Sequence, residues 1–292
     1  MEGISPGAER LLQRLRTQSV FEQDGRYRDF DWPESLPADG YWLSPELLSV
    51  YGTEIAASMD EATLQALSRA ESIAFYSANV HGIRDLLLGV VERIYMPGFV
   101  DVSENLAHFV SEENHHMWFF AEFCLRYGPA IYDTRKLAFG RESDADVLAF
   151  LTFAQILIFE EIGHFYNQRM MADERLPEIV RRINRRHYRD EARHIQLGRH
   201  LVARLYGRML ERCAAEKVRS VLDSIRRYVR FTLESFYDTT AYRAAALEEP
   251  LRLRGELLRH PARRRHHREV TAPLARFFES TLEVQIHDDA IF

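Results

Sequence analysis

The chain has 292 residues, of which 46% are hydrophobic and 28% charged, and its formal net charge is -6. This length fits one large domain or two small ones, and the apolar fraction excludes a disordered chain. Two cysteines, Cys124 and Cys213, are too few for a disulfide scaffold or a thiolate zinc site. The longest apolar run, Val147 to Phe159, is too short to span a bilayer, and the first ten residues do not resemble a signal peptide. We therefore expect a cytoplasmic protein with no membrane partner.

In chain order, the residues from Phe30 to Leu48 combine Pro, Gly, Asp and aromatic side chains, which is typical of an ordered wrapping segment. Helical patterns then dominate, and no window alternates like a strand, so we expect an all-α protein. The predicted core helices cover residues 60–96, 103–127, 143–172 and 177–209, and C-terminal helices cover 216–247 and 273–284. Such lengths favour a four-helix bundle with flanking helices, in one domain over residues 1–292.

The segment from Arg252 to Glu269 is strongly basic. It contains no interleaved aromatic residues and the whole chain is acidic, so we expect no nucleic-acid partner. The composition favours a solvated charged face or a mobile connector.

Glutamate and histidine follow an unusual pattern. The chain has 28 Glu and 12 His, and random placement would give about one Glu-x-x-His. It has four: Glu112/His115, Glu113/His116, Glu161/His164 and Glu191/His194. Residues three apart share a helix face, so each pair can present two ligands to one point.

The predicted fourth helix contains the sequence HYRDEARH. His187, Glu191 and His194 are spaced by four and three residues, so they share one face with the apolar Ile183 and Leu201. Burying a glutamate with two histidines is costly unless a cation neutralises and coordinates them. The face therefore predicts metal ligands.

The predicted second helix offers two overlapping registers. If Glu113 and His116 point inward, they align with an apolar face that includes Phe109, whereas Glu112 and His115 align with a more polar one. The hydrophobic face favours Glu113 and His116. In that case Glu112 and His115 are either partly exposed or lie beside the ligands.

The third and first helices each offer a single glutamate. Glu160 and Glu161 both follow the apolar run of the third helix, and periodicity does not decide between them. His164 fits a core or rim histidine better than a ligand. Glu71 lies among apolar residues in the first helix, as a ligand or as a partner of an arginine such as Arg69.

Together these helices provide one Glu from each of two and a Glu-x-x-His from each of the other two. Four-helix bundles hold two iron or manganese ions with this arrangement. Carboxylates with a few imidazoles and no thiolate suit Fe or Mn better than structural zinc.

The sequence resembles the ferritin-like di-iron oxygenases of the p-aminobenzoate N-oxygenase (AurF-like) family. The distinguishing residue is His187, because this family has His-x-x-x-Glu-x-x-His on the fourth helix where most di-iron bundles have only Glu-x-x-His. Other matching segments are DWPESLPADGYWLSPELLSVYGTE, LSRAESIAFYS, EENHHMWFFAEF and FEEIGHFYNQRM. The resemblance covers roughly residues 28 to 210.

The resemblance implies seven metal ligands: Glu71, Glu113, His116, Glu160, His187, Glu191 and His194. It favours Glu160 over Glu161, because the lone Glu of the third helix lies well before the extra histidine in this family. Asp190 resembles the outer carboxylate that orients a ligand imidazole.

The resemblance also implies the activity: two Fe ions (or Mn) activate O2 with electrons from a reductase or chemical reductant. The substrate is then an amine, foremost an arylamine, oxidised to a hydroxylamine and onward to a nitro compound in natural-product biosynthesis. C-hydroxylation, desaturation or halogenation on the same scaffold is the alternative, followed by a non-catalytic metal-binding protein. A homodimer is the usual state of such bundles. Candidates for an aromatic-substrate pocket, or for ordinary core packing, are Phe75, Phe109, Phe120, Phe153 and Phe159.

Overall fold

The computed structural model describes residues 30–134, 137 and 142–287. The chain divides into two units, Met1–Glu34 and Ser35–Phe292, and the helices described below belong to the second. The first ten residues, on which the absence of a signal peptide was predicted, lie outside the described residues. The single domain over residues 1–292 stays a prediction.

The described residues form eight α-helices longer than one turn and no β-strand. The four long ones are α1 (Glu61–Val91), α2 (Ser103–Tyr127), α3 (Ala145–Ala172) and α4 (Glu178–Arg212). They lie close to the predicted ranges; the largest difference is the earlier end of α1. The chain turns there through Tyr95, whose φ of 58° is left-handed, two residues before Pro97, which cannot continue a helix. Among the described helices, none is long and apolar enough to cross a membrane.

The long helices form a four-membered bundle in which α1 packs against α2 and α3, and α4 packs against α2 and α3. Each of these pairs is antiparallel, so α2 and α3 run in the same direction on a diagonal. A ferritin-like bundle with one long crossover connection has this topology. The contacts that fix the directions include Tyr76–Phe120 between α1 and α2, the Tyr95–Ser103 bond in the turn that joins them, and Asn167–His187 and Phe150–Tyr206 between α3 and α4.

The segment before α1 covers that helix, as predicted for a wrapping segment. The backbone N–H groups of Trp42 and Leu43 donate to Ser68 Oγ, at 2.9 and 2.8 Å. Further along, the N–H of Ser49 donates to the Glu71 carboxylate at 3.0 Å. The wrapping segment therefore reaches two buried polar side chains of α1.

The C-terminal part contains α5 (Ala215–Ser235), α6 (Thr239–Ala244), α7 (Pro250–Arg259) and α8 (Pro261–Leu282). The prediction of one helix over 216–247 is wrong, because the chain breaks between α5 and α6. In the break, Tyr237 is buried and its hydroxyl bonds His267 and Arg263, while Asp238 caps α6. Tertiary contacts here outweigh a continuous helical propensity.

The last helix begins at Pro261 rather than at Pro273, which lies in its interior. An interior proline costs roughly 3 kcal/mol. Burial of apolar side chains such as Leu274 and Phe278 offsets this, at about 1.5–3 kcal/mol each. The interpretation of residues 252–269 as a mobile connector is therefore wrong, because they form α7 and the start of α8. The alternative of a solvated charged face agrees with the exposure of Arg252, Arg264 and Arg268, although Arg263 is buried.

Candidate metal centre

Six of the predicted ligands converge inside the bundle. Their ligand atoms form two groups, and within each group all the atoms lie within 4.8 Å of one another. Glu113 and Glu191 belong to both groups. The first group adds His116 and His194, and the second adds Glu160 and His187. All six side chains are buried, so the cluster consists of two buried ligand groups that share two carboxylates.

Helical spacing and aromatic packing hold these side chains in place. On α2 and α4 the ligand candidates are three or four residues apart and therefore share a face. Phe109 packs on the ring of His194, with centroids 4.5 Å apart, and Phe120 packs edge-on against His187 at 4.9 Å. Both phenylalanines thus pack against histidines of the cluster and restrict their rings.

Each imidazole turns one nitrogen to the cluster and the other to a polar group outside it. His116 directs Nδ1 to Glu113, at 2.8 Å, and Nε2 to Asp190, at 3.2 Å. His194 directs Nδ1 to Glu113, at 3.0 Å, and Nε2 to Glu112, at 2.8 Å.

His187 follows the same rule. Its Nε2 lies 2.9 Å from Glu191, and its Nδ1 contacts the amide of Asn167. Outer partners of this kind fix the ring orientation of metal-ligating histidines. The pattern on all three rings is therefore that of metal ligands.

Two arginines balance the outer carboxylates. Arg186 donates to Asp190 at 2.7 Å, and Arg193 bridges Asp190 and Glu112 at 2.8 and 2.7 Å. Although burial would raise the pKa of Asp190, hydrogen bonds from His116 and Arg186 hold it well below its usual value. Asp190 is thus a charged acceptor beside His116.

Burial and close charges shift the pKa values within the cluster in opposite directions. Burial alone would lower the pKa of His116, but Glu113 and the neighbouring carboxylates raise it well above its usual value. Burial and the positive charge of His116 hold the pKa of His187 well below its usual value. A neutral imidazole is the form that binds a metal.

The cluster fits a pair of divalent cations. The Glu191 oxygens lie 2.9, 3.2 and 3.3 Å from nitrogens of three imidazoles, yet neither oxygen accepts a well-aligned hydrogen bond. Nδ1 of His194 is likewise without a hydrogen-bond partner. Buried groups of this kind are costly unless they bind something, and three carboxylates with three imidazoles suit Fe or Mn.

The alternative residues lie outside the cluster. Glu112 contacts the outer nitrogen of His194, while His115 stacks on Trp118. Glu161 accepts hydrogen bonds from Arg199, and His164 stacks on the ring of Tyr188. The structure therefore brings Glu113, His116 and Glu160 together, rather than these neighbours.

The structure does not bring Glu71 to the cluster. Its carboxylate accepts hydrogen bonds from the N–H and hydroxyl of Ser49, and Tyr242 donates to that hydroxyl. Phe75 of α1 stacks on Tyr166 of α3, so Glu71 lies on the side of Tyr166 away from Glu160. By this register about ten residues, or roughly 15 Å along the bundle, separate Glu71 from Glu160.

A cavity of about 220 Å³ lies between α1, α3 and α5. Phe159, the residue before Glu160 in the chain, lines this cavity. The Phe159 ring lies on Gly82, where a Cβ would come within 2.5 Å of the ring. Polar side chains in the lining include His81 and Gln155. Of the phenylalanines predicted to line a pocket, Phe159 lines this cavity and Phe153 stacks on Phe99.

Sequence reasoning did not find the contact of Asn167 with His187 or that of Glu112 with His194. Asn167 lies seven residues after Glu160, so helical spacing places both on one face of α3. That spacing is a signal that could have found it. The contact of Glu112 with His194 had no comparable signal, because helical spacing turns Glu112 about 100° away from the neighbouring ligand candidate Glu113.

Solved structures similar to this chain include those of an R2-like ligand-binding oxidase with an aerobically reconstituted Mn/Fe cofactor. A variant of that oxidase has a TM-score of 0.48 at 15% identity, covering 85% of this chain and 90% of the other. A second structure of the oxidase gives 0.45 at 15% identity, with the same coverage. No curated protein matches the sequence.

The sequence matches the family described as P-aminobenzoate N-oxygenase AurF over residues 5–281. This range contains every residue of the cluster and nearly the whole chain. The chain therefore belongs to the p-aminobenzoate N-oxygenase AurF family of di-iron enzymes.

Proposed function

We propose that this chain is a di-metal N-oxygenase that oxidises an amine, foremost an arylamine, to a hydroxylamine and onward to a nitro compound. The observation that carries the proposal is the pair of adjoining buried ligand groups that share Glu113 and Glu191. In the first step an amine, O2, two electrons and two protons give a hydroxylamine and water. An external reductant supplies the electrons.

When bound, the metal pair supplies the activation of O2. The six residues of the cluster hold the ions, and Asp190, Glu112 and Asn167 orient the three imidazoles. Burial of the cluster excludes bulk water, which strengthens its electrostatic interactions.

The cavity between α1, α3 and α5 is the proposed amine site. Phe159, the residue before the ligand candidate Glu160, forms part of its wall, and the small residues Ala78 and Gly82 line it as well. Phe231 and Tyr228 offer further aromatic faces, while Gln155 can bond a polar group. A small aromatic ring with a polar substituent suits this lining.

The test is to load the protein anaerobically with Fe(II), reduce it and expose it to ¹⁸O2 with arylamines, alkylamines and hydrocarbons. We expect labelled oxygen on the nitrogen of an arylamine. His187→Ala should abolish turnover and lower the iron content, whereas the control His164→Ala should retain both. Label found only on carbon would establish the C-hydroxylase alternative, and a protein that binds no iron would contradict the metal centre.

We also propose a homodimer and a cytoplasmic location. Large apolar side chains are exposed at the end of α1 and just after it, including Leu88, Tyr95 and Val100, and such clusters mark interaction surfaces. Both cysteines are free thiols, which suits a reducing compartment. Sedimentation of the wild type against Leu88→Glu tests the dimer; identical monomeric profiles would contradict it.

A further inference from the structure

The cluster receives ligands from α2, α3 and α4, and none of its carboxylates comes from α1. Two-metal bundles of this type take a ligand from each of the four helices. Glu71 is bound to Ser49 well away from the cluster.

The register between α1 and α3 shows which residues of α1 lie at the height of the cluster. Along α1, Phe75, Gly82 and Gly89 follow at intervals of seven. Their contacts on α3, which are Tyr166, Phe159 and Thr152, follow at intervals of seven in the opposite direction. Glu160 therefore lies opposite residue 81, and the α1 residues within reach of the cluster are those near 79–83.

The direction of the side chains narrows the choice. Phe75 faces α3, whereas Tyr76 faces α2 and α4, where it stacks on Phe120 and accepts a hydrogen bond from Asn184. At 100° per residue, Asn79 lies about 40° from the direction of Phe75 and about 60° from that of Tyr76. Asn79 therefore points between them, into the bundle.

Asn79 is buried, with 2% of its surface exposed. Its Nδ2 donates to the carbonyl of Phe75 at 2.8 Å, and its Oδ1 has no hydrogen-bond partner. A buried carbonyl oxygen without a partner is costly, and a hard cation is the partner that would satisfy it. The other inward residue at this level, Ile83, is apolar.

We propose that Asn79 supplies the α1 ligand through Oδ1, in the place for which the sequence suggested Glu71. This inference rests on the two-metal centre proposed above. It leaves three carboxylates against the four positive charges of two divalent ions. The ion next to Asn79 is then bound more weakly than its neighbour, and the two ions bind in sequence.

The experiment is an anaerobic titration with Mn(II), in which EPR counts free ions and detects coupling between bound ones. The wild type should bind two ions with unequal affinity. Asn79→Leu should weaken the second ion by at least the 10–100-fold that follows loss of an outer partner. Asn79→Asp, which adds the missing charge at the same size, should bind the second ion more tightly. Glu71→Gln is the control and should bind like the wild type.

Thermal unfolding separates a ligand from a packing residue. Without metal, Asn79→Leu should be at least as stable as the wild type, because it removes an unpaired buried carbonyl. With Mn(II), its Tm should rise less than that of the wild type.

A wild type that binds no ion would overturn the centre itself. If the wild type binds two ions and Asn79→Leu binds them with the same two affinities, the role of Asn79 is overturned while the metal centre stands. Loss of an ion in Glu71→Gln would overturn that role as well.

Discussion

Glu112 and His194 are hydrogen-bonded through Oε2 and Nε2 at 2.8 Å, while Nδ1 of the same ring lies 3.0 Å from Glu113. Two consecutive glutamates of α2 thus contact opposite nitrogens of one imidazole on α4. Glu113 is buried, whereas the Glu112 side chain is 25% exposed and is also bonded by Arg193. Both overlapping Glu-x-x-His pairs therefore contribute a glutamate, one inside the cluster and one behind it.

Replacing Glu112 by alanine should weaken metal binding without removing a ligand. His194 would lose the partner that fixes its ring, and the loss of such partners lowers metal affinity about 10–100-fold. Titration with Fe(II) or Mn(II) measures the change. Glu122→Ala is a matched control, because Glu122 lies on the same helix and pairs with Arg126.

Glu113→Ala should be more severe than Glu112→Ala, because Glu113 belongs to both ligand groups. We expect the loss of at least one bound ion after gel filtration. Loss of an ion from Glu112→Ala, with two retained by Glu113→Ala, would reverse the assignment of the two glutamates.

Substitutions of Glu160 and Glu161 should have different effects on iron content. Glu160→Gln should lower the iron content, whereas Glu161→Gln should leave it unchanged and instead remove the ion pair with Arg199. Arg199 is 39% exposed, so solvent weakens this pair, and burial raises the pKa of Glu161 in spite of Arg199. We therefore expect the free energy of unfolding to change by no more than about 1 kcal/mol. Iron analysis and urea unfolding of both variants check this, and equal iron loss in the two would contradict it.

The four long helices were predictable because residues that end helices follow them, such as the Gly128-Pro129 pair after α2. The inward face of α2 was predictable as well, because Glu113 and His116 continue an apolar stripe. The choice between Glu160 and Glu161 was not predictable from periodicity, because the part of α3 that precedes them is apolar on all sides and has no distinct face.

The position of Glu71 relative to the cluster was not predictable from the sequence, for a different reason. A sequence gives the face of a residue on its own helix, but not its height relative to the other helices. That height depends on packing, here of Gly82 on Phe159 and of Gly89 on Thr152. Ser49, which bonds Glu71, comes from the wrapping segment and reaches it only in the folded protein.

The stability of the protein should depend on pH through Glu71. Burial raises the pKa of Glu71 from 4.5 to about 7, against the lowering effect of the Ser49 hydrogen bonds. Between these values the folded protein holds a proton that the unfolded chain has released, so stability falls as the pH rises from about 4.5 to about 7. The difference corresponds to roughly 3 kcal/mol at most.

Glu71→Gln should remove this loss. The variant should therefore gain stability relative to the wild type as the pH rises. The free energy of unfolding of the variant minus that of the wild type should be larger at pH 8 than at pH 5, as measured by urea unfolding. Glu279→Gln, at an exposed position of α8, controls for the change in net charge. A constant difference between Glu71→Gln and the wild type across this range would show that Glu71 ionises normally in the folded protein.

Gly82→Ala should change which amines the enzyme accepts. A Cβ at this position would lie 2.5 Å from Cζ of Phe159, so the ring must move and the proposed amine cavity must change shape. We expect a rise in KM for the best arylamine, with iron content retained because neither residue is a ligand. Steady-state kinetics across arylamines of increasing size measures the effect.

Gly207→Ala is the matched control, because a Cβ on this α4 glycine meets nothing within 4 Å. Both substitutions replace a helical glycine by alanine, which by itself favours the helix by up to about 1 kcal/mol. Any difference between the two variants therefore comes from the displaced ring. Unchanged KM values for the whole series in Gly82→Ala would mean that the amine reaches the metal centre by another route, since the cavity wall would have moved without consequence.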